Sequence, residues 1–189
     1  MIFKKVSYQL MLCAFVIVST FGCMKTELLE NGITKVPSNS RVYKNKIYFQ
    51  EILSNQINTK VIFEKYDSDK NTLLRLGNDP TKSVYGAYRF YSNGCFNYFV
   101  LRRGEKEDFN TFNPNYNGKR GVYFEKNNRF KYDLFAEMNG LGWTGKLTGT
   151  FTFSGNGDTL YVKRDVSKVI DIYIKRKIEP KYLDFQADW

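Results

Sequence analysis

Short runs of alternating apolar and polar residues, separated by turn sequences, occupy most of the chain after residue 57. In the clearest run, Lys146 to Ser154, phenylalanines alternate with threonines. This period of two predicts a strand with one buried and one exposed face, because successive side chains of a strand point to opposite sides. Asn93-Gly94, between two further runs, is typical of a tight type I′ hairpin turn. The pattern predicts antiparallel strands joined by hairpins.

Nine strands of this kind are predicted, at 59–66, 72–76, 85–92, 95–102, 121–125, 129–135, 146–154, 158–164 and 169–175. The composition agrees, since 16 Phe and 14 Tyr against 4 Pro favour strands. Nothing after residue 57 has helical periodicity, and no long crossover separates the strands. About eight antiparallel strands suffice to close an up-and-down barrel. We therefore predict an all-β antiparallel meander of about 8–9 strands, forming a small barrel or a half-open sandwich.

The N-terminus has the features of an export signal. Lys4 and Lys5 form a short basic region, and nine apolar residues follow from Leu10 to Val18. Nine residues are too few to span a bilayer, which takes about 20, but they suit the apolar part of a signal peptide. Residues 1–22 are therefore predicted to be a signal peptide.

Cys23 follows the small residue Gly22 at the end of this signal. The arrangement resembles the lipobox of bacterial lipoproteins, in a relaxed form similar to that of Bacteroidetes-type bacteria. The resemblance implies acylation of Cys23, the membrane as a partner, and a place in the cell envelope, either on the periplasmic face or at the cell surface. The competing interpretation is an ordinary cleaved signal in which Cys23 is incidental.

Residues 23–45 hold few core-forming apolar residues and contain turn signals, so they are predicted to be a lipid-anchored tether. Residues 46–189 then form the β-barrel-like domain. Within it, YRFYSNGCFNYFVL (88–101), GTFTFSGNGDTLYV (149–162) and IDIYIKRK (170–177) resemble lipocalin-like domains of bacterial lipoproteins. The resemblance implies a lipocalin-like barrel, a fold that often holds a small ligand.

The chain contains no histidine. This excludes Ser-His-Asp and Cys-His catalysis and any histidine-ligated zinc or iron site. Cys95 remains as the single cysteine of the mature domain if Cys23 is acylated, so no disulfide can form within it. We expect neither enzyme activity nor a metal or other cofactor.

Aromatic residues on two glycine- and asparagine-containing loops are the candidate ligand-binding residues, namely Phe109, Phe112, Tyr116 and Trp143. Such rings can stack on sugars or cap a barrel mouth. They can equally fold back and plug the end of the barrel, since large aromatics contribute heavily to cores.

The formal net charge of +10 suggests an anionic neighbour, which for an exported protein is phospholipid, lipopolysaccharide or acidic glycan rather than nucleic acid. The alternative interpretation is a solvated basic surface without a specific partner. The predicted function is non-enzymatic binding of an apolar or amphipathic small molecule in or at the barrel. The alternatives are a surface module for glycans or anionic lipids and a structural module for a protein partner.

Overall fold

A computed structural model describes residues 24–48, 57–69, 71–77, 83–138 and 143–189, without the side chains of residues 45–48 and Trp143. The strands are β1 (Thr26–Leu28), β2 (Lys35–Pro37), β3 (Val61–Asp67), β4 (Thr72–Leu73), β5 (Val84–Phe90), β6 (Cys95–Arg102), β7 (Lys119–Lys126), β8 (Arg129–Met138), β9 (Trp143–Phe153), β10 (Thr159–Arg164) and β11 (Ile170–Lys177). Two 3-10 helices span Ser40–Tyr48 and Pro180–Tyr182.

Eight strands form a closed antiparallel barrel in the order β3, β5, β6, β7, β8, β9, β10, β11. The barrel closes because β11 pairs with β3, with Phe63 opposite Lys175. The short strand β4 pairs with Tyr66 and Asp67 of β3, which follow the residues of β3 that pair with β5. The predicted all-β barrel is confirmed, and closure removes the sheet edges that would otherwise be open to aggregation.

Two of the hairpin turns differ in a way that follows from their residues. Asn127 and Asn128 both have positive φ, near 55°, as a type I′ turn requires. At the predicted type I′ turn between β5 and β6, only Gly94 has positive φ. Asn93 instead accepts a hydrogen bond on its side chain from the Cys95 amide at 3.1 Å. The hairpin is therefore present, but the turn is a longer loop with glycine in the left-handed position.

Aromatic side chains fill the barrel interior, and we call this set the inner core. Its members are Ile57, Val61, Phe63, Tyr88, Phe90, Phe96, Tyr123, Tyr132, Leu134, Phe151, Leu160, Val162 and Tyr173. Ring centroids of neighbouring members lie 4.4 Å apart for Tyr132 and Phe151 and 5.2 Å apart for Phe90 and Phe151. The middle of the barrel is thus packed with rings that contact one another.

Two further apolar clusters cover the outside of the barrel wall. One includes Phe99 and Phe112 beneath the 103–118 loop, and the other includes Tyr43 and Trp189 against β7 and β8. The segment 23–45 was predicted to be a tether. In the part of it that the structure describes, β1 and β2 form a two-stranded sheet, and Val36 and Tyr43 are fully buried.

Candidate functional site

The barrel has one end at which β3, β6, β8 and β10 stop and β5, β7, β9 and β11 begin; we call it the mouth. Because side chains alternate along a strand, the inward face of each strand can be followed from the inner core to this end. On five strands that face carries polar residues between the inner core and the mouth. We call these residues the mouth cup: Lys65 on β3, Tyr98 on β6, Lys119 on β7, Arg164 on β10, and Asp171 and Tyr173 on β11.

Strand register brings these residues together. Lys65 lies opposite Tyr173 in the β3–β11 ladder, and Tyr98 lies opposite Lys119 in the β6–β7 ladder. Lys65 forms an ion pair with Asp171, and its Nζ is 5.1 Å from the centroid of the Tyr173 ring. The Arg164 guanidinium lies 4.0 Å from the Asp171 carboxylate. The cup is therefore a network of charges rather than a set of isolated groups.

Tyrosine rings connect the mouth cup to the inner core, and Tyr173 belongs to both. The Tyr88 ring lies 4.8 Å from the ring of Tyr98 and 4.9 Å from the ring of Tyr173. The hydroxyls of Tyr98 and Tyr173 share a hydrogen bond. Burial raises the pKa of both phenols. For Tyr98 the hydrogen bond with Tyr173 lowers the pKa, but the effect of burial is larger. Both phenols are therefore neutral at ordinary pH. Tyr173 is buried, whereas Tyr98 is partly exposed and borders the mouth.

The most accessible charge of the cup is positive. Half of the Arg164 side chain is exposed, whereas the Asp171 side chain is only 25% exposed. Burial lowers the pKa of Lys119, and the nearby Arg164 lowers it further while Glu137 raises it. Arg164 is thus the group of the cup that is most open to an incoming ligand.

Apolar side chains border the cup on one side. Val84 and Val100 lie on the inward faces of β5 and β6 at the mouth, and each is 45% exposed. A groove of about 200 Å³ continues from Tyr98, Val100 and Lys119 to Ile33 in the β1–β2 turn. The mouth therefore offers cationic and hydroxyl groups beside exposed aliphatic ones, which is the pairing that an amphipathic molecule requires.

The aromatic residues predicted from the loops lie elsewhere. Phe112 is fully buried outside the barrel wall, with its ring 5.5 Å from Phe99 and 5.4 Å from Tyr182. Phe109 is exposed, and its ring lies 4.8 Å from Phe185. These two rings thus cover the outer wall and the C-terminal segment rather than the mouth.

Tyr116 is partly buried and borders a separate groove of about 290 Å³ on the 103–118 loop, with Glu105, Asp108 and Asn117. Trp143 begins β9 at the mouth, where its backbone pairs with Met138, but its side chain lies outside the described part. Cys23 and the predicted signal at 1–22 also lie outside the described residues.

None of the cup residues was singled out from the sequence. A signal was present in β11, where Asp171, Tyr173 and Lys175 share a face. That face points inward, with Tyr173 buried, while Ile170 on the other face is half exposed. Polar residues on the inward face of a barrel strand indicate where the packed interior of the barrel ends.

No group of three or more acidic or cysteine side chains within the described ranges could hold a metal ion. Among the helices of the described residues, none has the length and apolar character that crossing a bilayer would take. Comparisons of the chain with protein-family models, with curated proteins and with solved structures gave no match.

Proposed function

We propose that this protein is a non-enzymatic binding module of the bacterial envelope, anchored through acylated Cys23, which holds the polar head of an amphipathic small molecule at the barrel mouth. The observation that carries the proposal is the mouth cup above a ring-packed core. Because aromatic rings fill the interior, the ligand sits at the mouth and not deep in the barrel.

The chemistry of the cup indicates the class of ligand. Arg164 favours a head group with an anionic oxygen, since its half-exposed guanidinium can donate charge-assisted hydrogen bonds to carboxylate or phosphate. The hydroxyl of Tyr98, which is partly exposed, can donate to or accept from a neutral polar group. Val84 and Val100 would contact the beginning of an alkyl chain. An acidic amphiphile, such as a fatty acid or a lysophospholipid, meets all three conditions.

Arg164→Ala is expected to weaken binding of an anionic amphiphile by about 10- to 100-fold, because a hydrogen bond to a charged group contributes about 1.5–3 kcal/mol. The measurement is titration of the chain from Met24 with lysophosphatidylglycerol below its micelle concentration. Native mass spectrometry of the same sample reports the stoichiometry.

The matched control is Arg129→Ala, which removes an exposed arginine at the β7–β8 turn, at the barrel end opposite the mouth. It should bind as tightly as the unchanged chain. Equal affinity for the Arg164→Ala and unchanged chains, or no binding of any anionic amphiphile by the unchanged chain, would contradict the proposal.

A second candidate function is glycan binding at the groove beside Tyr116. The observation that favours it is the combination of a partly exposed ring with carboxylate and amide groups, from Glu105, Asp108 and Asn117, around a space of about 290 Å³. Carboxylates and amides accept and donate hydrogen bonds to sugar hydroxyls. If this is the site, Tyr116→Ala should abolish signal on a glycan array and Arg164→Ala should leave it unchanged; the reverse result assigns binding to the mouth.

A further inference from the structure

The loop between β10 and β11, residues 165–169, projects from the mouth end of the barrel; we call it the β10–β11 tip. Apolar exposure rises along this hairpin, from 53% for Ile170 to 66% for Val169 and 90% for Val166. A single exposed aliphatic residue needs no explanation, but three in one projecting hairpin are a candidate contact surface.

The tip is held in one conformation. The Ser167 amide donates to the Arg164 carbonyl at 3.1 Å, and the Val169 amide donates to the Ser167 hydroxyl at 3.0 Å. The Asp165 amide donates to the Thr148 carbonyl of β9 at 3.0 Å. The exposed valines are therefore presented by an ordered turn, so binding would cost little ordering entropy.

The acidic and basic side chains at the tip lie in different places. Its one acidic residue, Asp165, is turned onto the outer wall, where its carboxylate accepts a hydrogen bond from the Thr148 hydroxyl at 2.8 Å and lies 3.5 Å from the Lys131 ammonium. Lys163, on β10 just before the loop, and Lys168, within the loop, are exposed. The outward surface of the tip is thus aliphatic with a basic border.

We propose that the β10–β11 tip docks the barrel onto an anionic bilayer surface, with Val166 and Val169 entering the head-group region and Lys163 and Lys168 facing lipid phosphates. Aliphatic residues gain free energy when they leave water, and each basic residue near an anionic surface adds about 1 kcal/mol. The basic border favours a membrane over a neutral apolar protein partner.

The inference deepens the proposed function, since it names the membrane as the source of the amphiphile, but it depends on other residues. The tip lies at the same end of the barrel as the mouth cup, because Arg164 ends β10 immediately before it. Docking by the tip would place the mouth against the lipid head groups. An amphiphile could then enter the cup without crossing water.

The test is flotation of the chain from Met24, which carries no acyl group, with vesicles of phosphatidylglycerol and phosphatidylethanolamine or of phosphatidylcholine alone. The buried side chains of the described part and all barrel strands lie at residue 29 or later, so this chain contains the folded unit. We expect binding to the phosphatidylglycerol vesicles, little binding to phosphatidylcholine, and loss of binding at high salt.

The double variant Val166→Ser, Val169→Ser should bind the phosphatidylglycerol vesicles about tenfold more weakly, since two aliphatic side chains no longer leave water. Leu28→Ser is the matched control, because Leu28 is 56% exposed on β1, outside the barrel sheet. Thermal unfolding of all variants verifies that they fold, as expected for substitutions of exposed residues.

Equal vesicle binding by the double variant and the unchanged chain would overturn the inference, as would equal binding to both kinds of vesicle. Self-association that the double variant abolishes, without vesicle binding, would also overturn it and assign the tip to a second copy of the chain. Membrane docking by the tip can be disproved while Arg164→Ala still weakens binding of the soluble amphiphile. Failure of this inference is therefore distinguishable from failure of the proposed function.

Discussion

Raising the pH above 10 is expected to unfold this barrel abruptly, because buried tyrosines hold their protons in the folded state. Seven of them are less than 9% exposed and have a raised pKa, namely Tyr43, Tyr85, Tyr88, Tyr91, Tyr123, Tyr132 and Tyr173. Burial is the largest cause for each, and it raises the pKa of Tyr85 and of Tyr132 to about 12.

The direction follows from proton binding. Below pH 10 both the folded and the unfolded chain keep these phenol protons, so the tyrosines do not affect the pH dependence of stability. Above pH 10 the unfolded chain releases them first, and stability falls until the pH reaches the raised pKa values of the folded state. Each tyrosine then removes about 1.4 kcal/mol per pH unit, and seven remove about 10 kcal/mol per pH unit.

Total stabilities of about 5–15 kcal/mol imply a midpoint within roughly one and a half pH units above pH 10. Far-UV circular dichroism and tyrosinate absorbance, followed together against pH, measure this transition and should change in one step. Tyr88→Phe with Tyr132→Phe keeps the rings, removes two ionising groups, and should raise the midpoint by about 0.4 pH unit. Gradual tyrosinate formation around pH 10 with an unchanged dichroism spectrum would refute the prediction.

Arg89→Ala is expected to lower the free energy of unfolding by about 3–4 kcal/mol, because this arginine joins three parts of the chain. Arg89 is on the outward face of β5 and is 2% exposed. Its guanidinium donates to the carbonyl of Phe112 at 3.3 Å, of Leu183 at 3.1 Å and of Phe185 at 3.0 Å. Alanine would leave these carbonyls without their donor and create a cavity beside the barrel wall.

The C-terminal segment should loosen with this substitution. Trp189 donates from its indole to the Gly121 carbonyl at 3.1 Å, and its ring lies 5.0 Å from the Arg120 guanidinium. Urea denaturation measures the stability, and limited proteolysis should cleave the variant near residues 183–187 first. Arg129→Ala, at an exposed turn, should change stability by less than about 0.5 kcal/mol. A loss below about 1 kcal/mol for Arg89→Ala would show that Arg89 does not join these segments.

The strands of the barrel were predictable because the patterns that indicate them lie within short stretches of the sequence. Alternation with a period of two and short turn sequences located the nine strands after residue 57, and their short connections required antiparallel neighbours. The ends of most of these strands agree within two or three residues, as for Cys95–Arg102, which is β6. Strand pairing of this kind needs only the immediate neighbours in the chain.

The mouth cup was not predictable, because alternation does not tell which of two faces turns inward. In β11 the isoleucines point outward, while Tyr173 enters the core. That choice depends on the rings of Tyr88 and Tyr98, which come from strands more than seventy residues earlier and pack against Tyr173 after the barrel closes.

The sequence by itself determined the strands, their antiparallel order and the absence of histidine chemistry, since each depends on residue type and near neighbours. Only the tertiary structure decided that the barrel closes between β11 and β3, that Phe112 covers the outer wall, and that Lys65, Arg164 and Asp171 meet at one end. The reason is physical: closure brings together residues about a hundred positions apart, and the volume inside an eight-stranded barrel then decides which side chains fit within it.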